Sequence, residues 1–199
     1  KLFSNIKNQE VLDLCSAPGG KAMQMISMGA KVTCIDSSIQ RVQLMKTNFN
    51  RLNFNPEIII KDILNWKSKK TFKYILLDAP CSATGTIRKH PDLIFLKNKN
   101  ELIRHTKTQQ ALLEKALSLL SVHGQLIYCV CSIQKNEGIK QIDRLLKKFK
   151  NIKRVPVKKS EFTQFEKYIT KDGDIQTFPY MQKPGGMDGF FISRLYKEY

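Results

Sequence analysis

The chain is 199 residues long, with 34 Lys or Arg against 17 Asp or Glu, a formal net charge of +17, 42% apolar and 26% charged residues. That length and composition suit one folded domain and exclude disorder and fibrous repeats, and no apolar run approaches the roughly 20 residues of a membrane-spanning helix. The basic excess is spread over both halves, 16 basic against 7 acidic residues in 1–100 and 18 against 10 in 101–199, which favours a polyanionic partner, nucleic acid first.

Short β-rich runs alternate with helical patterns. In chain order the pattern predicts a strand at Val11–Cys15, a helix at Gly20–Met28, a strand at Lys31–Ile35, a helix at Ser38–Leu52, and strands at Glu57–Ile60 and Tyr74–Leu77. A helix at Thr106–Val122 follows, its apolar face marked by Leu112, Leu113, Ala116, Leu117 and Leu120 and its end by Gly124. Then come a strand at Gln125–Val130 and a helix at Lys135–Phe149. Asn151–Lys159, rich in Lys and Pro, is expected to link the sheet to a C-terminal hairpin of strands Asp174–Pro179 and Gly189–Leu195. This alternation predicts an α/β domain, a mostly parallel sheet with helices on both faces and one antiparallel strand, Gly189–Leu195, near its C-terminal edge. The chain begins at Lys1 and its first strand follows at once, so residues 1–199 are expected to be one catalytic domain excised from a longer protein.

The five cysteines, Cys15, Cys34, Cys81, Cys129 and Cys131, form no C-x-x-C pair, and the three His are scattered, so no metal site is expected. With no secretory signal, free thiols in the cytoplasm are the expectation.

In such sheets ligands bind beyond the carboxyl ends of the strands. Val11 to Lys21 reads as a strand, a turn Cys15-Ser16-Ala17-Pro18-Gly19-Gly20-Lys21, and a helix start whose glycines let backbone approach a ligand. Pro18 removes an N–H that a pyrophosphate cradle would use. The next strands end in Asp36, suited to ribose hydroxyls, and Asp62, suited to an adenine amino group. Together they favour an adenosyl ligand without pyrophosphate, S-adenosylmethionine over NAD. The plain alternative is a βα turn with helix-capping acids.

Farther along, a carboxylate and two thiols fall at neighbouring strand tips, in Asp78-Ala79-Pro80-Cys81-Ser82 and Cys131-Ser132. With Asp13-Leu14-Cys15-Ser16-Ala17-Pro18-Gly19-Gly20-Lys21, Asn136-Glu137 and Gly186-Met187-Asp188-Gly189-Phe190-Phe191, these blocks resemble, in the same order, the Sun (NOL/NOP/Sun) family of RNA cytosine-5 methyltransferases, most closely its bacterial ribosomal-RNA branch. The resemblance implies a Rossmann-like methyltransferase fold with a seven-stranded sheet, S-adenosylmethionine bound by Cys15–Lys21, Asp36, Asp62 and Asp78, and an RNA substrate, ribosomal first and transfer RNA second. It implies Cys131 as the thiol that adds to cytosine C6, Cys81 as the group that assists breakdown of the adduct, Asp78 as the partner of the cytosine N3 and amino edge, and Lys21 as the residue orienting Asp78. Val130 departs from the pattern, a Thr being usual there. Cys129 is an additional thiol, expected to pack in the core, and Asp78 is expected to disfavour a thiolate at Cys81.

Arg88 and Lys89, in the loop after Cys81, are expected to contact RNA phosphates. The basic stretch Lys140–Lys159 is a further RNA candidate or simply a solvated helix face. Three other readings stay open. A DNA cytosine-5 enzyme would take its nucleophile from Pro80-Cys81 and need no second strand-end Cys-Ser. An amino-group methyltransferase would carry an aromatic residue where Cys81 stands. An idle RNA-binding or assembly module would have little reason to keep both thiols.

Overall fold

The computed structural model describes residues 2, 3, 5–96, 98–181 and 186–199. Its elements are β1 (Glu10–Leu14), α1 (Gly20–Ser27), β2 (Lys31–Asp36), α2 (Ile39–Arg51), β3 (Glu57–Ile60), β4 (Phe72–Asp78), α3 (Leu93–Leu96), α4 (Lys99–Leu119), β5 (Leu120–Val130), α5 (Ile139–Lys148), β6 (Ile152–Arg154), β7 (Ile175–Gln176) and β8 (Phe191–Lys197).

Alternation along the strands sorts their side chains onto two faces. Leu12, Ile75, Leu77, Leu126, Tyr128 and Val130 point to one side, where Leu112, Leu113, Ala116 and Leu117 of α4 and Ile142 and Leu145 of α5 cover them. Val11, Tyr74, Leu76, Ile127 and Cys129 point to the other, against Ala22 and Met25 of α1 and Val42, Met45 and Phe49 of α2. Two helix starts are fixed by side-chain caps, Ser38 accepting from the Arg41 N–H and Asn98 from the Glu101 N–H.

The sheet order is β3-β2-β1-β4-β5-β8-β6, with β7 also on β8. The pairs among β1 to β5 are parallel, and β8 runs antiparallel to β5, β6 and β7. Because β5 occupies one edge of β8, β6 and β7 share the other, β6 at Leu195–Lys197 and β7 at Phe191–Ile192. The expected seven positions are therefore present, with the last filled by two short strands end to end.

Three expectations are corrected. The Asn151–Lys159 linker contains a strand, β6, whose three residues are too few to show an alternating pattern; the partner Leu195–Lys197 supplies the hydrogen bonds that define it. The long helix runs Lys99–Leu119, not Thr106–Val122, because Asn98 caps it earlier and Leu120 already pairs with Phe72 of β4. Gly124 does not end that helix: the left-handed residue in the following strand is His123, at φ 60°, whose ring nitrogen Nδ1 lies 2.7 Å from the Tyr196 hydroxyl. The four-residue α3 had no sequence signal. Among the described residues no helix is long and apolar enough to cross a membrane.

Candidate active site

The carboxyl ends of β1, β2, β4 and β5 and the turn after β3 open into one cleft of about 320 Å³, lined by Cys15, Asp36, Asp62, Asp78, Cys81 and Cys131 among others. These six residues come from five separate segments of the chain, and the parallel topology carries all of them to the same rim.

The first loop is held by its backbone. Gly19 sits at φ +97°, and a Cβ there would come within 2.8 Å of Met45 Cγ, so the turn needs glycine for both conformation and space. Gly20 has open space around it. Asp36, 3% exposed, accepts from the Ala17 N–H at 3.0 Å and the Ser38 N–H at 2.9 Å, stitching the first loop to the second. The Arg41 guanidinium donates to the Ala17 carbonyl, and Asn48 donates to the Pro18 carbonyl at 3.2 Å. Ser16 turns inward and donates to Asp13 at 2.6 Å. Burial pushes the Asp13 carboxyl up to about 7, with the Ser16 hydrogen bond opposing. Asp62 lines the cleft but is exposed, and its oxygens accept from the Leu64 N–H at 3.0 Å and the Asn65 amide at 2.7 Å in its own turn.

At the chemical end, the Cys81 and Cys131 sulfurs are 3.3 Å apart. Either sulfur could be the donor of that contact; Cys81 is held above the usual thiol range first by the contact and then by burial. The same bond draws Cys131 below the usual range, while burial and the Asp78 charge oppose it. Of the two thiols, Cys131 is therefore the more readily ionised. The order matches the sequence expectation, but the cause does not: Asp78 acts against the Cys131 thiolate, and the direct sulfur contact decides the order.

Asp78 receives the Lys21 ammonium on Oδ2 at 2.5 Å and the Cys129 thiol on Oδ1 at 3.2 Å. Cys129 is thus more than core filling. It is buried, its thiol held well above the ordinary range by burial, and it orients the carboxylate from beneath. The other thiols are less suited to chemistry: burial pushes Cys34 up to about 12, and it also raises Cys15, which stands at φ 59° in the loop.

What keeps the two thiols in contact is a residue with no role assigned from sequence. Glu137, fully buried, accepts from the Ser82 N–H at 2.9 Å, the Ser82 hydroxyl at 2.5 Å, the Ser132 hydroxyl at 2.5 Å and the Gln109 amide at 3.0 Å. Ser82 and Ser132 each follow a site cysteine, so one carboxylate ties both cysteine loops together. The repeated Cys-Ser doublet at 81–82 and 131–132 was the available signal. A second clamp is backbone on backbone: Gly85 donates to the Cys131 carbonyl at 3.0 Å, and the Gly189 N–H donates to the Gly85 carbonyl at 2.7 Å. A Cβ on Gly85 would lie 1.9 Å from the Gly189 oxygen, so this crossing admits no side chain.

Arg88 and Lys89 are not at the cleft. Both face Asp188, at 3.5 and 2.6 Å, so one carboxylate offsets part of their charge. In the Lys140–Lys159 stretch, Lys148 pairs with Glu114, Lys153 with Glu198 and Lys159 with Glu166, and Arg154 meets Asp143, Asp172 and Asp174, so among the described residues four of its nine cations have an acid beside them. Trp66 packs beside Phe72 at the edge of the core. Among the described residues no cluster of three or more His, Cys, Asp or Glu could hold a metal ion.

A family model described as 16S rRNA methyltransferase RsmB/F matches residues 2–196. Ribosomal RNA small subunit methyltransferase B of Erwinia tasmaniensis is 34% identical over 195 residues, which make up 96% of this chain and 42% of that protein. The protein of the same name from Photorhabdus laumondii is 32% identical over 202 residues, 99% of this chain and 44% of that protein. The chain thus spans less than half the length of these curated relatives. Among solved structures, PH0851 superposes with a TM-score of 0.87 at 28% identity, covering 97% of this chain and 43% of that one. NSun6 from Pyrococcus horikoshii with SFG superposes at 0.81 and 23% identity, covering 96% and 48%, and speaks for the fold alone.

Proposed function

Because the chain belongs to the 16S rRNA methyltransferase RsmB/F family, we propose that it methylates carbon 5 of a cytosine in small-subunit ribosomal RNA, using S-adenosylmethionine and a covalent bond from Cys131 to cytosine C6. The observation that carries this reading is the Cys81–Cys131 contact of 3.3 Å, in a cleft shared with Asp36 and Asp78. In this reading residues 1–199 form one catalytic domain, which corresponds to 42–44% of the length of the relatives.

The cleft suits the cofactor in charge as well as in shape. In a protein of net charge +17 its rim carries three carboxylates, Asp36, Asp62 and Asp78, against two cations, Arg41 beside Asp36 and the Lys21 ammonium on Asp78. Such a rim accepts hydrogen bonds and tolerates positive charge, as hydroxyls, an amino group and a sulfonium require, and it repels a pyrophosphate. Asp36 would take the ribose, Asp62 the adenine edge, and the Cys15–Gly20 backbone the remainder. When bound, S-adenosylmethionine supplies an electrophilic methyl group.

The residues of the chain do the rest. The Cys131 thiolate adds to C6, turning C5 from a poor nucleophile into an enamine carbon. Asp78, held by Lys21 and Cys129, accepts from the cytosine amino group, and as the attack puts charge on the ring, N3 takes up a proton from solvent, the new N3–H also donating to Asp78. Once the Cys131 sulfur is bonded to carbon, Cys81 loses the anion that kept it protonated. Its proton affinity falls, so it can give up its proton to solvent; the Cys81 thiolate then takes the C5 proton as the Cys131–C6 bond breaks, Cys131 leaves as the thiolate and N3 returns its proton to solvent. A duplex base is out of reach of these groups, so the target is unpaired or extruded.

Incubation with methyl-labelled S-adenosylmethionine and, separately, small-subunit ribosomal RNA and transfer RNA, followed by nucleoside mapping, tests the proposal. Label in 5-methylcytidine of the ribosomal RNA is expected. Label only in transfer RNA redirects the substrate, and label in another base or none overturns the reaction.

A further inference from the structure

After Cys81 the chain passes through a 3-10 turn at Thr84–Thr86 and reaches α3, where Ile94, Phe95 and Leu96 are 61, 89 and 62% exposed. A single exposed apolar side chain needs no explanation, but three in succession on one short turn mark a surface meant to be covered. Between α3 and the start of α4 lies a second cleft, of about 350 Å³, distinct from the one that holds the thiols. Ile87, Leu93, Ile94 and Leu102 form its apolar walls, and Ser82, Thr84 and Gln134 give it a polar floor. Lys99 stands at its rim, exposed.

The position is informative. Cys81 lines the first cleft and its chain neighbour Ser82 the second, so the two clefts share one loop as a common wall. Ser82 is pinned by Glu137, which gives that wall a fixed place. A cleft with aliphatic side chains for a base to lie against, the Gln134 amide in its lining and the Lys99 ammonium beside it has the chemistry of a nucleotide site: a surface to pack on, an amide for a base edge, a cation for a phosphate. The first cleft, by contrast, is ringed by carboxylates and admits the RNA only as a base inserted from its own strand.

We propose that the cleft beside α3 is a second nucleobase subsite, which seats by stacking the nucleotide adjacent to the target cytosine. This rests on the reading that the chain acts on single-stranded RNA cytosine. The α3 surface would then orient the strand across the shared wall, so that the extruded base meets the thiols in one register, and would contribute selectivity for the neighbouring base.

The test is a coupling measurement with a defined probe: an 11-nucleotide single-stranded RNA with one central cytosine among uridines, and two copies made abasic on its 5′ or 3′ side. Fluorescence anisotropy compares the wild-type chain with a Leu93→Ala/Ile94→Ala double variant, whose folding is checked by its melt and its affinity for S-adenosylhomocysteine. Loss of the base on one side should weaken wild-type binding about tenfold, as expected for one stacked base. The double variant should bind the intact RNA about as weakly as the wild type binds that abasic probe, and should lose little more when the base is also removed. Its salt dependence should match the wild type, since no charge is deleted. Salt-dependent binding in which the two losses multiply, or in which neither abasic side matters, overturns the subsite and leaves the cleft to a protein partner. A wild-type chain that binds none of the probes at low salt overturns the RNA reading itself, and the subsite with it.

Discussion

The tips of β4 and β5 and the tips of β1 and β2 border the same cleft, yet they are held in opposite ways. On the chemical side a single buried carboxylate, Glu137, gathers four donors from three segments and fixes the loops of both thiols against each other. On the cofactor side each acid holds fewer groups: Asp36 the N–H groups of Ala17 in the neighbouring loop and Ser38 in its own, Asp62 the Leu64 N–H and the Asn65 amide of its own turn. The contrast follows from what each side must do. In the proposed reaction two sulfurs must act on neighbouring ring atoms and so be placed to a fraction of an ångström before substrate arrives, whereas a ligand with many hydrogen-bonding groups can complete loops that are already nearly formed.

The most drastic way to probe the chemical side is to remove a thiol. Cys131→Ala should reduce methyl transfer to background and abolish any covalent RNA adduct, whereas Cys81→Ala should let adducts accumulate and survive a denaturing gel. Adducts in the first variant and none in the second would exchange the two roles.

Removing the tie should cost stability. Glu137→Ala leaves buried donors on Ser82, Ser132 and Gln109 without their acceptor, about 3–5 kcal/mol in all, or about 10 °C in melting temperature. Asp62→Ala, whose partners are exposed, should cost less than about 1 kcal/mol. Equal losses in calorimetry would break the contrast between the two sides.

The cofactor side carries a pH liability. Asp13 has its folded pKa raised to about 7 from an ordinary 3.8, so between those values the folded chain binds the extra proton and stability falls as pH rises. Asp174, raised by burial to about 6, acts in the same direction. Asp13→Asn, which keeps a neutral side chain at every pH, should remove about 2–3 kcal/mol of the stability lost between pH 5 and pH 8. Urea titrations at the two pH values measure it, and a loss unchanged by the substitution would clear Asp13.

Asp36→Ala should weaken S-adenosylhomocysteine by about 1–3 kcal/mol, roughly tenfold, in calorimetric titration. Unchanged affinity would remove Asp36 from the cofactor site. The smallest effect is expected at Arg88: since Asp188 already offsets part of its charge, Arg88→Ala should lower the salt slope of RNA binding by no more than about one. A larger drop would mean that RNA displaces Asp188.

Much of the site could be read from the chain because it is made of strand ends. A strand announces itself by its apolar run, and the residue after the run must lie at the rim, so Cys15, Asp36, Asp78, Cys81 and Cys131 could be assigned to one region without coordinates. The missed elements lacked such local marks. β6 exists only through its pairing with β8, and α3 exposes its apolar residues, contrary to the usual pattern. Arg88 and Lys89 read as phosphate contacts with no acid in view because Asp188 lies about a hundred residues downstream, and Cys129, which does pack in the core, showed no sign of its bond to Asp78 because that acid sits on the neighbouring strand.

The sequence by itself determined the order of strands and helices, the basic character of the chain, and which residues stand at the carboxyl rim, because hydrophobic periodicity and turn chemistry act over a few neighbours. Only the tertiary structure decided that Cys81 and Cys131 touch, that the contact makes Cys131 the more acidic thiol, and that Glu137 holds them there. Those are relations between residues about fifty positions apart, and their distances come from the packing of β4 against β5 and from a buried acid that must find every donor within reach.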